Sequence, residues 1–259
     1  MTLLTQTAEP ERRRRVTRWR GLVAICVAAF SLCSGSAVVG ADALNHTSSL
    51  LGRFFGRSEE PLTQYRAFRR MHAWSEKFKQ EAWLDAWTEM QDGRFAYQVV
   101  EERGSDTIRH KVLRAVLARE QELINDGNTA KAEITPENYE FTEEGRDADG
   151  SRFVQIKPRR KDVLLVDGRM VLSPDGHDLL RIEGRLSKNP SFWTSLVNVV
   201  RHYARLGGVR VPVAIESTAK VKLVGTSQLE MSYQYETVNN RPVSAISPLP
   251  AGLSRSAAR

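Results

Sequence analysis

The sequence predicts an α+β fold in which one large, curved antiparallel sheet carries two or three helices on its concave face. Turn signals recur about every ten residues through the second half of the chain, which is typical of an antiparallel sheet that curls on itself. Two segments in the first half instead carry apolar residues at steps of three and four. Such amphipathic helices need an apolar surface to cover their stripes, and the concave face of the sheet supplies one.

The first 43 residues have the layout of a secretory signal peptide. A cationic block from Arg12 to Arg20 precedes an uncharged run from Gly21 to Val39. Small residues then follow where a signal peptidase reads the chain, so cleavage is expected at Ala43 or after Ala41. A retained anchor in the inner membrane is the alternative, because the run is about as long as a minimal spanning helix. Both interpretations predict export across a membrane.

A good part of the formal net charge of +7 belongs to this N-terminal segment. Residues 1–43 hold six arginines and three acidic residues, which leaves 32 basic and 28 acidic residues, a net of +4, for the rest. A mixed surface on an exported protein gives no reason to expect nucleic acid as a partner. Cys26 and Cys33 also lie in the segment, so the mature domain is expected to have no disulfide and no thiol chemistry.

The mature chain is predicted to begin with a flexible lead-in over residues 44–59, followed by one domain over residues 60–243. A helix is predicted from Pro61 to Phe78, because apolar residues recur there at helical spacing: Leu62, Tyr65, Phe68, Met71, Trp74 and Phe78. Two strand-like runs, starting at Trp83 and Phe95, flank a hairpin turn at Asp92-Gly93. A second helix is predicted over 106–125, where Asp126-Gly127 ends it.

The rest of the domain is predicted to be a meander of strands separated by turns rich in glycine, aspartate and proline. These strands are expected at 139–142, 153–157, 162–166, 169–173, 178–187, 195–206, 209–213, 214–224 and 227–237. Asp167-Gly168 is interpreted as the turn between the third and fourth of them. The tail over 244–259, with its prolines, serines and alanines, is predicted to be disordered.

No arrangement of residues in the mature domain indicates catalysis. Its histidines do not stand at metal-ligand spacing, and no cysteine assists them, so neither a metal nor a cofactor is expected. Ser217 and Lys220 match a Ser-x-x-Lys pair, but they fall in a predicted strand, whereas the catalytic pair sits at the start of a helix. There is no glycine-rich phosphate loop and no nucleophile elbow. The protein is therefore predicted not to be an enzyme.

Large apolar side chains are abundant for one sheet and a few helices, which favours an apolar ligand cavity between them. The residues predicted to line this cavity are Trp83, Trp87, Met170, Leu172, Trp193, Leu229 and Met231. The alternative for each of them is that it fills a packed core.

The stretch from Pro158 to Trp193, PRRKDVLLVDGRMVLSPDGHDLLRIEGRLSKNPSFW, resembles the outer-membrane lipoprotein-sorting (LolA-like) proteins of bacteria. Its most specific part runs from Lys188 to Trp193. The segment GSDTIRHKVLRAVLARE and the ending GGVRVPVAIESTAKVKLVGTSQLEMSYQYE are similar to uncharacterised branches of the same superfamily. The resemblance spans residues 60–240, nearly the whole mature domain.

The resemblance implies a periplasmic, incomplete β-barrel capped by helices, whose cavity holds the acyl chains of lipids or lipoproteins. In the lipoprotein carrier an arginine latches the lid, and the candidates here are Arg159, Arg160 and Arg181. A second function stays open for the same fold, a protein-interaction or envelope-stress-sensing module whose partner is an envelope membrane protein. A large apolar cavity would favour the carrier, and a packed interior would favour the module.

Overall fold

The structure is a computed structural model that describes residues 50–243. The predicted signal segment at 1–43 and the predicted tail at 244–259 lie outside these residues. Between residues 50 and 243, one sheet of eleven strands dominates the fold. The strands are β1 (Tyr65–Ser75), β2 (Gln80–Gln91), β3 (Arg94–Gly104), β4 (Tyr139–Arg146), β5 (Arg152–Pro158), β6 (Val166–Leu172), β7 (Leu179–Leu186), β8 (Thr194–Leu206), β9 (Val209–Val221), β10 (Gly225–Val238) and β11 (Arg241–Pro242).

Neighbouring strands pair antiparallel in the order β3-β2-β1-β10-β9-β8-β7-β6-β5-β4, and β11 pairs with β10. Strands β3 and β4 are the two edges, so the sheet stays open and resembles half of a barrel. Pairing of β1 with β10 joins the beginning of the domain to its end, from Tyr65 opposite Val238 to Ser75 opposite Ser227. The predicted fold class, α+β with a large antiparallel sheet not closed into a barrel, is confirmed.

One main helical segment accompanies the sheet. It consists of α2 (Asp106–Ile108), a π-helical turn (Arg109–Leu113) and α3 (Arg114–Asn125), which confirms the helix predicted over 106–125. Gly127, with φ of +68°, follows it in the left-handed conformation that glycine adopts without a steric penalty. The helix runs back along β3, and the Asn125 side chain accepts a hydrogen bond from the backbone N–H of Phe95 at 2.8 Å.

Two shorter helices complete the domain: α1 (Leu50–Gly56) and a 3₁₀ turn (Thr129–Ala132). Helix α1 lies in the segment that was predicted to be a flexible lead-in. It buries Leu50 and Phe54, and Arg53 donates a hydrogen bond to the carbonyl oxygen of Asp175 in the β6–β7 turn. None of the helices between residues 50 and 243 is long and apolar enough to cross a membrane.

The prediction of a helix from Pro61 to Phe78 is wrong, because residues 65–75 form strand β1. Burial there alternates with a period of two: Tyr65, Ala67, Arg69, Met71 and Ala73 are all buried. The apolar residues of this stretch fit both a helical and a strand period. β1 pairs with β2 on one side and with β10 on the other, so its backbone N–H and C=O groups find hydrogen-bonding partners in the sheet. This tertiary context favours the strand over the helix.

The turn predicted at Asp167-Gly168 is also wrong, because both residues lie inside β6 and residues 162–165 precede the strand. Gly168 is paired with Gly184 of β7. A Cβ atom added to Gly168 would lie 2.2 Å from the carbonyl oxygen of Glu183. The glycine therefore permits close approach of two strands rather than a reversal of the chain. Similarly, residues 209–213 and 214–221 form one continuous strand, β9.

Candidate functional site on the inner face of the sheet

The candidate site is the inner face of the sheet, defined as the face on which α3 lies. One row of paired residues crosses eight strands on this face. From β2 to β5 the row consists of Leu84, Met71, Met231, Ile215, Arg201, Ile182, Met170 and Val154. All eight side chains are buried. Seven of the eight side chains are apolar, and the buried Arg201 of β8 divides the row into an apolar run of four residues and one of three.

Methionine is concentrated on this face. The chain has five methionines, and apart from Met1 all of them are buried: Met71, Met90, Met170 and Met231. Three of these four lie in the row just described, and Met71 is directly opposite Met231. Methionine is unbranched and flexible, and it adapts to irregular apolar partners better than leucine or isoleucine does. The row is therefore suited to contacts whose shape varies.

A buried ion pair fastens the helix to the inner face. Arg69 of β1 and Glu120 of α3 form a two-point contact, with Arg69 Nη2 2.9 Å from Glu120 Oε1 and Nη1 bonded to Oε2. The side chains are 0% and 2% exposed. The Arg69 guanidinium also lies 4.5 Å from the centre of the Tyr233 ring, a cation–π contact. These contacts connect β1, β10 and α3 at a single point.

Burial perturbs the ionisation of this cluster. It raises the pKa of the Glu120 carboxyl to about 7, although the charge and the hydrogen bonds of Arg69 oppose the rise. It also raises the pKa of the Tyr65, Tyr233 and Tyr235 hydroxyls well above their usual values, with the charge of Glu120 adding to the rise. The tyrosines are therefore neutral, while Glu120 titrates near neutral pH.

The inner face contains several buried hydroxyl groups, and they differ in whether they form a hydrogen bond. The Tyr235 hydroxyl donates to the carbonyl oxygen of Pro212 at 2.9 Å. By contrast, the Tyr233 hydroxyl and the hydroxyls of Ser75 and Ser217 are buried without a hydrogen-bonding partner among residues 50–243. An unsatisfied buried hydroxyl costs free energy, so these atoms are places where a bound polar group would be favourable.

The structure places four of the seven predicted cavity residues in the interior. Met170 and Met231 belong to the inner row, and Leu172 and Leu229 lie next to them along the same strands. All four are at most 2% exposed. They are therefore positioned to contact anything bound on this face.

The three predicted tryptophans lie away from the inner face. Trp83 and Trp87 lie on the outer face, because they alternate along β2 with the buried residues Ala82, Leu84 and Ala86. Trp83 stacks on His72 with ring centres 4.5 Å apart, and Trp87 packs edge-on against Phe68 at 5.2 Å. Trp193 lies in the β7–β8 loop and is 43% exposed. Side-chain size was the wrong guide here, since strand parity decides which face a residue occupies.

None of the predicted latch arginines forms the contact between sheet and helix. Arg159 donates to the carbonyl oxygen of Pro136 and Arg160 to that of Lys131, so both hold the segment before β4. Arg181 pairs with Glu183, its neighbour two positions along β7. The arginine of the sheet that pairs with α3 is Arg69, which does not belong to the apolar stripe of the helix predicted over 61–78. Its position in phase with Tyr65, Ala67 and Met71 was the signal that could have identified it.

Comparison with known proteins gives only distant structural likeness. No protein-family model matches this sequence, and no curated protein matches it. Among solved structures, the chain is similar to a DUF1329 family protein from Desulfovibrio piger, with a TM-score of 0.31 and 11% sequence identity. The match covers 66% of this chain and 84% of that chain. A likeness of this degree says nothing about a ligand or an activity.

Proposed function

We propose that the protein is a periplasmic carrier or chaperone that binds the acyl chains of lipids or of lipid-modified proteins on the inner face of its sheet. No covalent chemistry is part of this function. The observation that carries the proposal is the row of buried side chains across eight strands, in which seven of the eight residues are apolar and three are methionines. Export, which the proposal requires, is the expectation drawn from the signal-like segment at 1–43.

In this proposal the helical segment 106–125 is the lid, and the Arg69–Glu120 pair is its latch. Displacing the lid from β1, β2 and β3 would uncover the end of the row that contains Leu84 and Met71. Leaving a buried ion pair broken costs about 3–5 kcal/mol. Each methylene group moved from water to an apolar surface contributes about 0.8 kcal/mol. Burial of about six methylene groups offsets the loss of this pair. Opening also exposes the buried apolar side chains of the helix, such as Leu113 and Leu117, so the remaining methylene groups of a long fatty-acyl chain have to offset that cost as well.

A matched pair of substitutions on β10 tests this function. Met231→Gln keeps the length of the side chain but places an amide in the inner row, whereas Ser232→Gln places the same amide on the outer face. We expect Met231→Gln to weaken binding of a fluorescent long-chain fatty acid about tenfold, since an unpaired amide is costly in an apolar site. Ser232→Gln should bind as the wild type does.

Circular dichroism separates loss of binding from loss of folding. If Met231→Gln does not fold, Met170→Gln repeats the test from β6, at the other end of the row. A folded inner-row variant that binds the fatty acid as tightly as Ser232→Gln would refute binding on the inner face.

The outer face supports a second candidate, a protein-interaction module. Aromatic side chains form a half-buried cluster across β1 and β2 there: Phe68, His72, Trp74, Trp83 and Trp87. Partly exposed aromatic groups of this kind are enriched at protein interfaces. If this candidate is correct, Trp83→Ala should abolish capture of an envelope membrane protein in cross-linking experiments, while fatty-acid binding is absent in both wild type and variant.

A further inference from the structure

Three neighbouring turns at one end of the sheet form a continuous rim. They are the β1–β2 turn (76–79), the β9–β10 turn (222–224) and the β7–β8 loop (187–193). Lys77 Nζ donates to the carbonyl oxygen of Leu223 at 2.8 Å, and the backbone N–H of Lys222 donates to that of Trp193 at 2.7 Å. Hydrogen bonds therefore join the three turns side by side.

The rim concentrates the exposed apolar surface of residues 50–243. Six large apolar side chains in this part of the chain are exposed, and four of them lie on the rim. Their exposed fractions are 80% for Phe192, 77% for Leu223, 53% for Phe78 and 43% for Trp193. The turns at the opposite end of the sheet, such as Asp92-Gly93 and Gly207-Gly208, present none of the six. The concentration is thus a property of one end of the molecule.

The same turns carry a cluster of exposed lysines. Four exposed lysines lie within them, against a single acidic residue, Glu76: the lysines are Lys77, Lys79, Lys188 and Lys222. Two of the lysines accompany the exposed rings, with Lys222 Nζ 4.2 Å from the centre of the Phe192 ring and Lys77 Nζ 5.9 Å from that of Phe78. Apolar tips and positive charges therefore occupy one surface.

The backbone at Leu223 is a second, independent observation. Leu223 has a φ of +68°, a conformation that glycine or asparagine adopts much more readily than leucine. A hairpin tip of this kind would be more stable with either of those residues. The turn therefore keeps an exposed leucine at a conformational cost, and such strain is concentrated at functional positions.

We propose that this rim docks on the surface of an anionic phospholipid bilayer. Phe78, Phe192, Trp193 and Leu223 enter the boundary between headgroups and acyl chains, and the lysines lie at the level of the phosphates. Lysine is depleted from protein–protein interfaces, whereas aromatic side chains combined with lysine are typical of membrane interfaces. This composition favours a lipid surface over a protein partner. The docking is independent of acyl binding on the inner face.

The test compares two double variants of the full chain, as the cell produces it, in flotation with vesicles. Phe192→Ser/Leu223→Ser removes two apolar tips from the rim. Val100→Ser/Leu180→Ser removes the two exposed apolar residues that lie elsewhere, and both variants retain the same N-terminal segment. The vesicles contain phosphatidylcholine alone or mixed with phosphatidylglycerol.

We expect the rim variant to partition at least about tenfold more weakly to the phosphatidylglycerol vesicles, while the control variant stays within about twofold of the wild type. Acyl chains brominated near the headgroup should quench the fluorescence of Trp193, identified as the component that Trp193→Phe removes. Met231→Gln should still dock, which separates this proposal from the proposed function.

Equal partitioning of the rim and control variants, with no quenching of Trp193, would overturn the proposal. It would also be overturned if the rim variant bound vesicles normally but lost a protein partner or self-association, because the rim would then be a protein-docking surface.

Discussion

At the scale of single residues, the Arg69–Glu120 pair is the most consequential polar contact of the domain. Both groups are removed from water, and each is the compensation for the other's buried charge. Removing one partner leaves an uncompensated charge in the interior, whereas replacing both by apolar residues leaves no buried charge and changes only the packing. The two cases should therefore differ sharply in stability.

We predict that Arg69→Met lowers the free energy of unfolding by about 3–5 kcal/mol, because Glu120 then lacks its partner. The double variant Arg69→Met/Glu120→Leu should recover most of that loss. Urea denaturation followed by circular dichroism measures both. Additive effects in the double variant would show that the two side chains do not stabilise the fold as a pair.

The stability contribution of Glu120 should depend on pH. Its pKa rises from 4.5 to about 7 on folding, so the folded state retains the proton at a pH where the unfolded state has lost it. The contribution is therefore fully present below about pH 4.5 and is lost as the pH rises through about 7. Arg69, Tyr65, Tyr233 and Tyr235 are the ionisable groups around it, and none of these is expected to titrate in that range.

Glu120→Gln isolates this effect, because glutamine resembles the protonated acid. The wild type should lose about 1–3 kcal/mol relative to Glu120→Gln between about pH 4.5 and pH 8. Denaturation curves of both proteins at the two pH values give the difference in their free energies of unfolding. The contributions of the other carboxylates are the same in both proteins and cancel. A constant difference would mean that the folded-state pKa of Glu120 is close to its unfolded value.

At the scale of elements, glycine decides how closely β6 and β7 approach. Gly168 and Gly184 face each other, and a Cβ atom on Gly168 would overlap the backbone of β7. We predict that Gly168→Ala lowers the free energy of unfolding by about 1–3 kcal/mol, the usual cost of overpacking. Gly56→Ala is the matched control, since nothing lies within 4 Å of the added atom. Thermal melts of both variants provide the comparison, and equal melting temperatures would contradict the role of the glycine pair.

The sequence predicted those elements whose boundaries are encoded locally. The turn at Asp92-Gly93 was predicted because Asp-Gly is a typical hairpin turn pair. In the structure both residues adopt positive φ, at +52° and +71°. The helix over 106–125 has a clear apolar stripe and a glycine after its end. Segment 61–78 was mispredicted because its apolar residues fit two periods, and pairing with β2 and with the distant β10 selects the strand.

The inner face was only partly predictable for a related reason. Met170, Leu172, Leu229 and Met231 fall in strands that the turn pattern had delimited, so the prediction placed them near one another. Trp83 and Trp87 required the parity of β2, which follows from the pairing of Leu84 with Met71 and not from the size of the side chains. Arg69 was not predicted as an inner-face residue because the segment was interpreted as a helix, although Arg69 is the most deeply buried charged side chain among residues 50–243.

At the scale of the whole molecule, the open sheet separates three surfaces with different properties. The inner face is mostly apolar and carries the helical segment 106–125 near β1, β2 and β3. The outer face carries an aromatic cluster, and one rim combines lysines with exposed apolar side chains. A carrier that takes acyl chains from a membrane needs a protected apolar face and a surface that meets the bilayer. The arrangement of the inner face and the rim fits both needs without any catalytic group.

The central claim is that the inner face binds acyl chains, and one measurement tests it most directly. The protein is purified from the bacterial envelope without detergent, and organic extracts of it are analysed by mass spectrometry. Phospholipid or other acyl chains in stoichiometric amounts, reduced in Met231→Gln but not in Ser232→Gln, are the predicted result. Extracts as free of lipid as those of an unrelated protein purified in the same way would contradict the claim and favour the protein-interaction module.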